Sequence, residues 1–367
     1  TVLSSSEGLS KNNLCNLFCE MGLLPGLAFA LSILAKGTGK EPRQKKMLSY
    51  ANNVVDVLTF FANGDSGVKF HLTAGSVLDN LIAVLQTKGA GPGTESLAII
   101  HTKLLQVIRL LAMDSTTLES MEKCGIVKTL VFFMTTARHR SVSLLILFYL
   151  VRLSTKRQVA AAKSGIIPLL EGVIDSNDPL RQTALQMFCD MAHSSDVTRQ
   201  LLWENKGVHR FLSLLTDDYW FRFSLFSLSK WLSNDTERVE AVLVEKDHLK
   251  AILNMFQSLE GLNFESCLGS LRDMVYKSSA LNRALRLTPG FIEELVSRLQ
   301  KRKTMVLLSL LKLLKLFYEQ CREEERAAFV ETYKLYPIVQ EISENDNMVL
   351  VKELSRQILQ LFVSAMV

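Results

Sequence analysis

The chain has 367 residues, 48% of them hydrophobic and 22% charged, a balance that excludes a largely disordered chain and supplies material for a continuous core. Its formal net charge is +5, from 42 basic and 37 acidic residues. That excess, with short Lys/Arg clusters at Lys36 to Lys46 and Lys301 to Lys303 in apparent loops, does not make a nucleic-acid footprint. Only 7 prolines and 18 glycines interrupt many Leu-rich stretches, which sets an all-β reading aside and points to helix almost throughout.

In chain order, one phrase recurs: a glycine opening a short apolar helix. It appears in Met21-Gly22-Leu23-Leu24, Ala74-Gly75-Ser76-Val77, Cys124-Gly125-Ile126-Val127, Ser164-Gly165-Ile166-Ile167 and Lys206-Gly207-Val208-His209. Degenerate copies follow at Asp247-His248-Leu249, Pro289-Gly290-Phe291-Ile292 and Tyr333-Lys334-Leu335-Tyr336. From Gly125 onward the copies recur at roughly 40–45 residues, the period of armadillo and HEAT repeats. The first two intervals are longer, and the excess sits in the glycine-rich stretches from Lys36 to Pro42 and from Lys88 to Gly93, which read as loop insertions.

The clearest copy, Gly165 to Gly207, divides into three helices. Ile166, Ile167, Leu169, Leu170, Val173 and Ile174 keep a helical stripe until the break at Asp175 to Pro179, where Pro179 can open the next helix. That helix turns Leu180, Ala184, Met187, Phe188 and Met191 inward, and a third, carrying Val197, Leu201 and Leu202, is expected to end at a left-handed Gly207. Three helices per unit favour armadillo over two-helix HEAT. One unit buries too few apolar side chains to offset the ordering of some 40 residues, so the units must stack.

The expected fold is therefore all-α: a right-handed superhelical solenoid of about eight three-helix armadillo repeats over residues 1–367. Residues 1–120 form divergent repeats with insertions, 121–330 the regular ones, and 331–367 a capping repeat in which Leu361 and Phe362 pack inward. Because the chain begins at Thr1, it is expected to be part of something longer.

No catalytic motif emerges. Gly37-Thr38-Gly39-Lys40-Glu41 lacks the spacing and the hydroxyl of a phosphate loop, and none of the six histidines falls in a triad or metal spacing. The six cysteines read as small buried hydrophobes of a reducing compartment; Cys15 and Cys19 share a helix face without a third ligand nearby. The longest apolar run, Leu144 to Val151, is too short for a membrane span. The expectation is a soluble intracellular protein, not an enzyme, with no cofactor, no metal, no nucleic acid and no membrane insertion.

Recognition is then expected on the third helices, which line the inner groove of an armadillo array. Aligning them places Arg152, Asp190, Trp231 and Asp273 at matching positions, a mixed ladder without the regular Trp and Asn rungs of importin-α-type arrays. The densest aromatic run, Asp217-Asp218-Tyr219-Trp220-Phe221-Arg222, adds Asp217, Asp218, Tyr219, Trp220 and Arg222, and His193 and Lys230 complete the candidate surface. For Trp220 and Trp231 two places are open, the core between repeats or the interface, and Asp217 and Asp218 can equally cap the following helix.

The stretch Ser164 to Leu170, then Asp178-Pro179-Leu180-Arg181-Gln182-Thr183-Ala184-Leu185, Phe188-Cys189-Asp190-Met191-Ala192-His193 and Leu214 to Trp220 resembles a particular family, with Arg298 to Glu319 continuing the likeness. It is similar to the non-catalytic C-terminal region of the protein kinases heading the septation-initiation and mitotic-exit networks of fungi, with the plant MAP-kinase-kinase-kinase epsilon proteins as relatives. The likeness is firm over about 160–320 and weak over the first 120 or so residues. It implies a kinase domain elsewhere in the full-length protein. It further implies recruitment to the spindle pole body by a GTP-bound Ras-like small GTPase and a coiled-coil scaffold, in the control of cytokinesis. Homodimerisation stays open, as does the alternative of an importin-like or general adaptor binding extended peptides.

Overall fold

The structure, a computed structural model, describes residues 11–36, 41–88, 94–176, 178–301 and 304–364. Among the described residues there are 24 α-helices and no strand, and the helices fall into eight consecutive triplets. The all-α, armadillo-type architecture read from the repeat period is borne out. The insertions expected around Gly37 and Gly91 lie largely outside the described residues, as do Asn177 and Lys303. The first of them ends at once: Glu41 already begins the long helix Glu41–Ala62.

The chain divides into two compact units, Thr1–Asp190 and Met191–Val367. In the first unit the triplets begin with Lys11–Glu20, Leu23–Ala35 and Glu41–Ala62, and continue with Ser66–Leu72, Gly75–Gln86 and Thr94–Ala112. The third comprises Leu118–Lys123, Ile126–Met134 and Ala137–Val151, and the fourth opens with Thr155–Lys163 and Ile166–Ile174. Second helices pack on second helices and third on third: Leu23–Ala35 meets Gly75–Gln86, and Glu41–Ala62, Thr94–Ala112 and Ala137–Val151 follow one another. Each triplet thus covers the apolar face that its neighbour could not bury alone.

The second unit repeats the scheme. Its third helices are Phe221–Asn234, Gly261–Lys277, Thr304–Glu319 and Val349–Ser364, each packed on the next. An aromatic series runs through its core: Phe256 stacks on Phe291 at 4.9 Å, and Phe291 meets Phe317 edge-on at 5.8 Å. At the end of the chain Phe362 is buried against Tyr318, whose hydroxyl donates to the Leu361 carbonyl at 2.7 Å. Leu361 itself is only half-buried, so of the two residues expected to pack inward Phe362 carries the contact.

The recurring glycine marks the junction of first and second helices. Gly125 and Gly165 stand there at φ of 72° and 85°, in the left-handed region where a Cβ would be strained. In the fifth triplet the expectation fails by one residue: the left-handed position is Lys206, at φ 58°, and Gly207 opens the helix Gly207–Ser213. Gly207 is required for a different reason. A Cβ on it would lie 3.0 Å from the Leu202 carbonyl oxygen and 3.3 Å from the Trp231 ring. Pro179 likewise precedes its helix instead of opening it, in a turn closed by the Asp178 carboxylate accepting from the Leu180 N–H at 2.8 Å; the helix starts at Arg181.

A second recurring signal sits where a third helix gives way to the next first helix. Asp65, Ser154, Ser195 and Ser278 cap the first helices there, their side chains accepting from backbone N–H groups three residues on. Asp235 occupies the same place before Thr236–Leu243. These caps fix where each third helix ends, and so which of its residues face outward.

Candidate partner-binding face

Counted back from the caps, the third helices come into a register that sequence alignment missed. The fifth residue before the cap is Tyr149 and Asp190 in the first unit, Lys230 and Asp273 in the second. None of these four is buried, so this is the outward rung. Trp231 lies one place later, in line with Leu150, Met191 and Met274, and all four are buried. One residue turns a helix by about 100°, enough to carry a side chain from the groove into the core. Arg152 belongs to another row, two places before the cap, with His193 and Tyr276.

Trp231 is therefore a core residue and not an exposed anchor. It has no exposed surface, meets Trp203 at 6.4 Å and Phe211 at 6.3 Å edge-on, and rests on Gly207. Trp220 is also inside, 4% exposed, packed on Phe223 at 5.0 Å. Asp217 turns its carboxylate inward along the chain: Oδ1 accepts from the Tyr219 and Trp220 N–H groups, both at 3.0 Å, closing the turn before Phe221–Asn234. Asp218, Tyr219 and Arg222 remain exposed, with Arg222 held 6.0 Å over the Phe221 ring.

In the first unit Asp190 is half-buried and accepts from the Gln186 amide at 2.8 Å. Burial pushes its carboxyl above the ordinary range, while the Gln186 hydrogen bond and the Arg152 charge pull it back. Arg152 is exposed, its guanidinium 5.6 Å over the Phe148 ring.

In the second unit the outward rungs assemble around an exposed aromatic ring. Phe226 meets the His193 imidazole edge-on at 5.0 Å, and the Lys230 ammonium lies over the Phe226 ring, 5.3 Å from its centre. His193 Nε2 is 3.0 Å from the Ser227 hydroxyl. Desolvation, and then the Lys230 and Arg199 charges, hold the His193 imidazole below its ordinary value.

A groove of about 560 Å³ in the first unit is lined by residues of the second helices Gly75–Gln86 and Ile126–Met134 together with His101 and His139 of the third helices, and none of the candidate residues lines it. On the third-helix side of the second unit there is a groove of about 490 Å³, lined by Asp273, Tyr276, Lys312, Lys315, Leu354 and their neighbours. Arg272 pairs with Asp273 at 3.1 Å and Lys315 with Glu319 at 3.8 Å, while Lys312 has no ion-pair partner among the described residues. Tyr276 is 64% exposed at its edge. Of the candidate residues only Asp273 lies in this groove. Tyr276 and Phe226 went unnoticed in the sequence, although each is an aromatic residue on a charged helix face, and counting back from Ser278 would have found Tyr276.

This face offers exposed aromatic rings among paired and unpaired charges, the composition of a protein-docking surface. Among the described residues no group of three or more His, Cys, Asp or Glu side chains could hold a metal ion, and no single helix is long and apolar enough to cross a membrane. The class that the helices define is thus an armadillo-type helical-repeat array, with a groove on the third-helix side of its second unit.

Comparison with known proteins gives the array its relatives. No family model matches the chain. In fold it is similar to an engineered protein of known crystal structure, at a TM-score of 0.60 and 12% identity, over 99% of this chain and 93% of that one. In sequence it is 28% identical to MAP3K epsilon protein kinase 2 of Arabidopsis thaliana, across 98% of this chain and 26% of the relative. It is 27% identical to cytokinesis protein sepH of Emericella nidulans, again across 98% of the chain and 26% of the relative. The resemblance to septation-initiation and MAP-kinase-kinase-kinase epsilon kinases is borne out, and it is broader than the sequence suggested: it runs through the first 120 residues as well. The chain spans about a quarter of the length of these relatives.

Proposed function

We propose that this chain is the protein-docking region of a Ser/Thr protein kinase that controls cytokinesis. In that role it recruits the kinase domain, carried elsewhere in the full-length protein, to a GTP-bound Ras-like small GTPase and a coiled-coil scaffold at the cytoplasmic face of the spindle pole body. The observation that carries this reading is the likeness to cell-division kinases along 98% of the chain, in a region built as stacked helix triplets with an outward groove. A pre-ordered helical array loses little conformational entropy on meeting a folded partner, which suits a surface that must distinguish two nucleotide states of one GTPase.

Mixed rungs support a folded partner over an extended basic peptide. Lys230 and Asp273 occupy equivalent places with opposite charge, and Arg272, Lys312 and Lys315 share the groove with Asp273 and Glu319. An importin-like clamp would want one repeated acceptor along the row. Titration of the chain with the GTPase loaded with GTP analogue or with GDP tests the reading. Tighter binding of the GTP form by about tenfold or more is expected, and equal affinity for the two forms overturns it.

A further inference from the structure

The first unit carries a cleft that contains none of the candidate residues. It has a volume of about 560 Å³ and opens between the second helices Gly75–Gln86 and Ile126–Met134. That is within the range of pockets that enclose ligand groups. One wall is Phe132, 62% exposed, beside the buried Phe133 and Leu85. A phenylalanine left so exposed forfeits apolar burial that an occupant would recover.

The floor is made of two imidazoles whose polar atoms are turned into the protein. His101 Nε2 lies 2.9 Å from the Val84 carbonyl, and His139 places Nε2 3.1 Å from the Thr102 hydroxyl and Nδ1 3.2 Å from that of Thr136. Both rings stand edge-on to Phe133, at 5.4 and 5.1 Å. Burial lowers both imidazoles from their ordinary value, so the floor is uncharged at neutral pH. The Gln86 amide is likewise occupied, donating to the Thr129 hydroxyl at 3.2 Å.

The rim is charged with one sign. Lys88 and Lys128 are both exposed, neither has an ion-pair partner among the described residues, and no carboxylate lines the cleft. An apolar floor under two unpaired ammonium groups calls for an occupant with apolar side chains and acidic neighbours. The open mouth along two helices suits a stretch of chain.

We propose that this cleft docks a short acidic and apolar linear segment of a partner protein, its aromatic or aliphatic side chain beside Phe132 and its carboxylates at Lys88 and Lys128. The recognition is independent of the third-helix face of the second unit, whose exposed rings and mixed charges suit a folded surface.

A direct test uses fluorescence anisotropy with three fluorescein-labelled octapeptides. The first places a Phe-Leu pair between acidic residues, the second replaces every acid with lysine, and the third replaces the Phe-Leu pair with alanines. The first is expected to bind the chain at least about tenfold more tightly than either control. Phe132→Ala and Lys128→Glu alter exposed side chains, so each should keep the wild-type melting temperature and weaken the first peptide about tenfold. Peptides that bind alike, an acidic peptide that fails to bind at about 1 mM, or full binding by both well-folded variants overturns the proposal.

Discussion

Replacing Trp231 with alanine separates the two places a tryptophan on this helix could occupy. The ring has no exposed surface and is held by Trp203, Phe211 and the bare backbone of Gly207. Truncation of a buried tryptophan costs about 3–5 kcal/mol, the loss of transfer energy adding to a cavity that the surroundings only partly fill. Here the cost should fall near the upper end, because Gly207 has no side chain to move into the space and Leu202 is fixed by its helix. Urea unfolding followed by circular dichroism should show a midpoint lowered by roughly 2–5 M, given slopes of about 1–3 kcal/mol/M. Affinity of the folded fraction for the GTPase should stay unchanged. Trp231→Phe should cost far less, under about 1.5 kcal/mol, because the indole N–H that it removes makes no hydrogen bond. A Trp231→Ala chain with a wild-type midpoint and weakened partner binding would refute the core placement.

Gly207→Ala should destabilise the second unit by about 1–3 kcal/mol in the same assay, since its Cβ would press on the Leu202 carbonyl oxygen at 3.0 Å; a neutral effect would mean that the junction gives way freely. Asp217→Ala should cost about 1 kcal/mol by removing the acceptor of two N–H groups before Phe221–Asn234, with Asp217→Asn restoring most of it. Tyr276→Ala and Lys312→Glu should each weaken GTPase binding about fivefold or more at unchanged melting temperature, and surface plasmon resonance would expose a failure of either half of that statement. Desolvation lowers His101, His139 and His193 in the folded chain, so the unfolded chain takes up their protons first as the pH falls. Stability should be complete above about pH 6.5 and be lost as the pH drops through the lowered folded values; melting temperatures at pH 7.5 and 5.5 check the sign, and His101→Gln should flatten the slope.

The period, the helix triplets and the αL junctions were legible because each rests on local chemistry repeated many times. Gly125 and Gly165 announce a left-handed turn wherever the chain carries them. The rungs were not legible in the same way. From Ser154 to Ser195 to Asp235 to Ser278 the repeat changes length by one to three residues, and a single residue moves a side chain by about 100°. Lining up Asp190 with Trp231 instead of Lys230 was enough to exchange a surface lysine for a core tryptophan. Tryptophan gives no warning of the error, since it serves the core and the interface equally well. Ser and Asp caps were the better landmark, because they mark the helix end itself and not its hydrophobic content.

That register has a consequence for how the face can work. With Lys230 and Asp273 on equivalent rungs, the charge changes sign between Phe221–Asn234 and Gly261–Lys277, so a polymer of uniform charge finds no repeating complement across these two helices. A complementary partner surface would reverse its charge across the spacing of two packed helices, about 8–10 Å, and place apolar spots against the exposed Phe226 and Tyr276. A folded partner can hold such a pattern rigidly. In the proposed role, a small GTPase changes the backbone of its switch segments with the nucleotide, and a fixed array of opposed charges would convert that local change into a difference of affinity without the array having to move. In that role the stiffness that the stacked triplets provide would be the property that makes the groove selective.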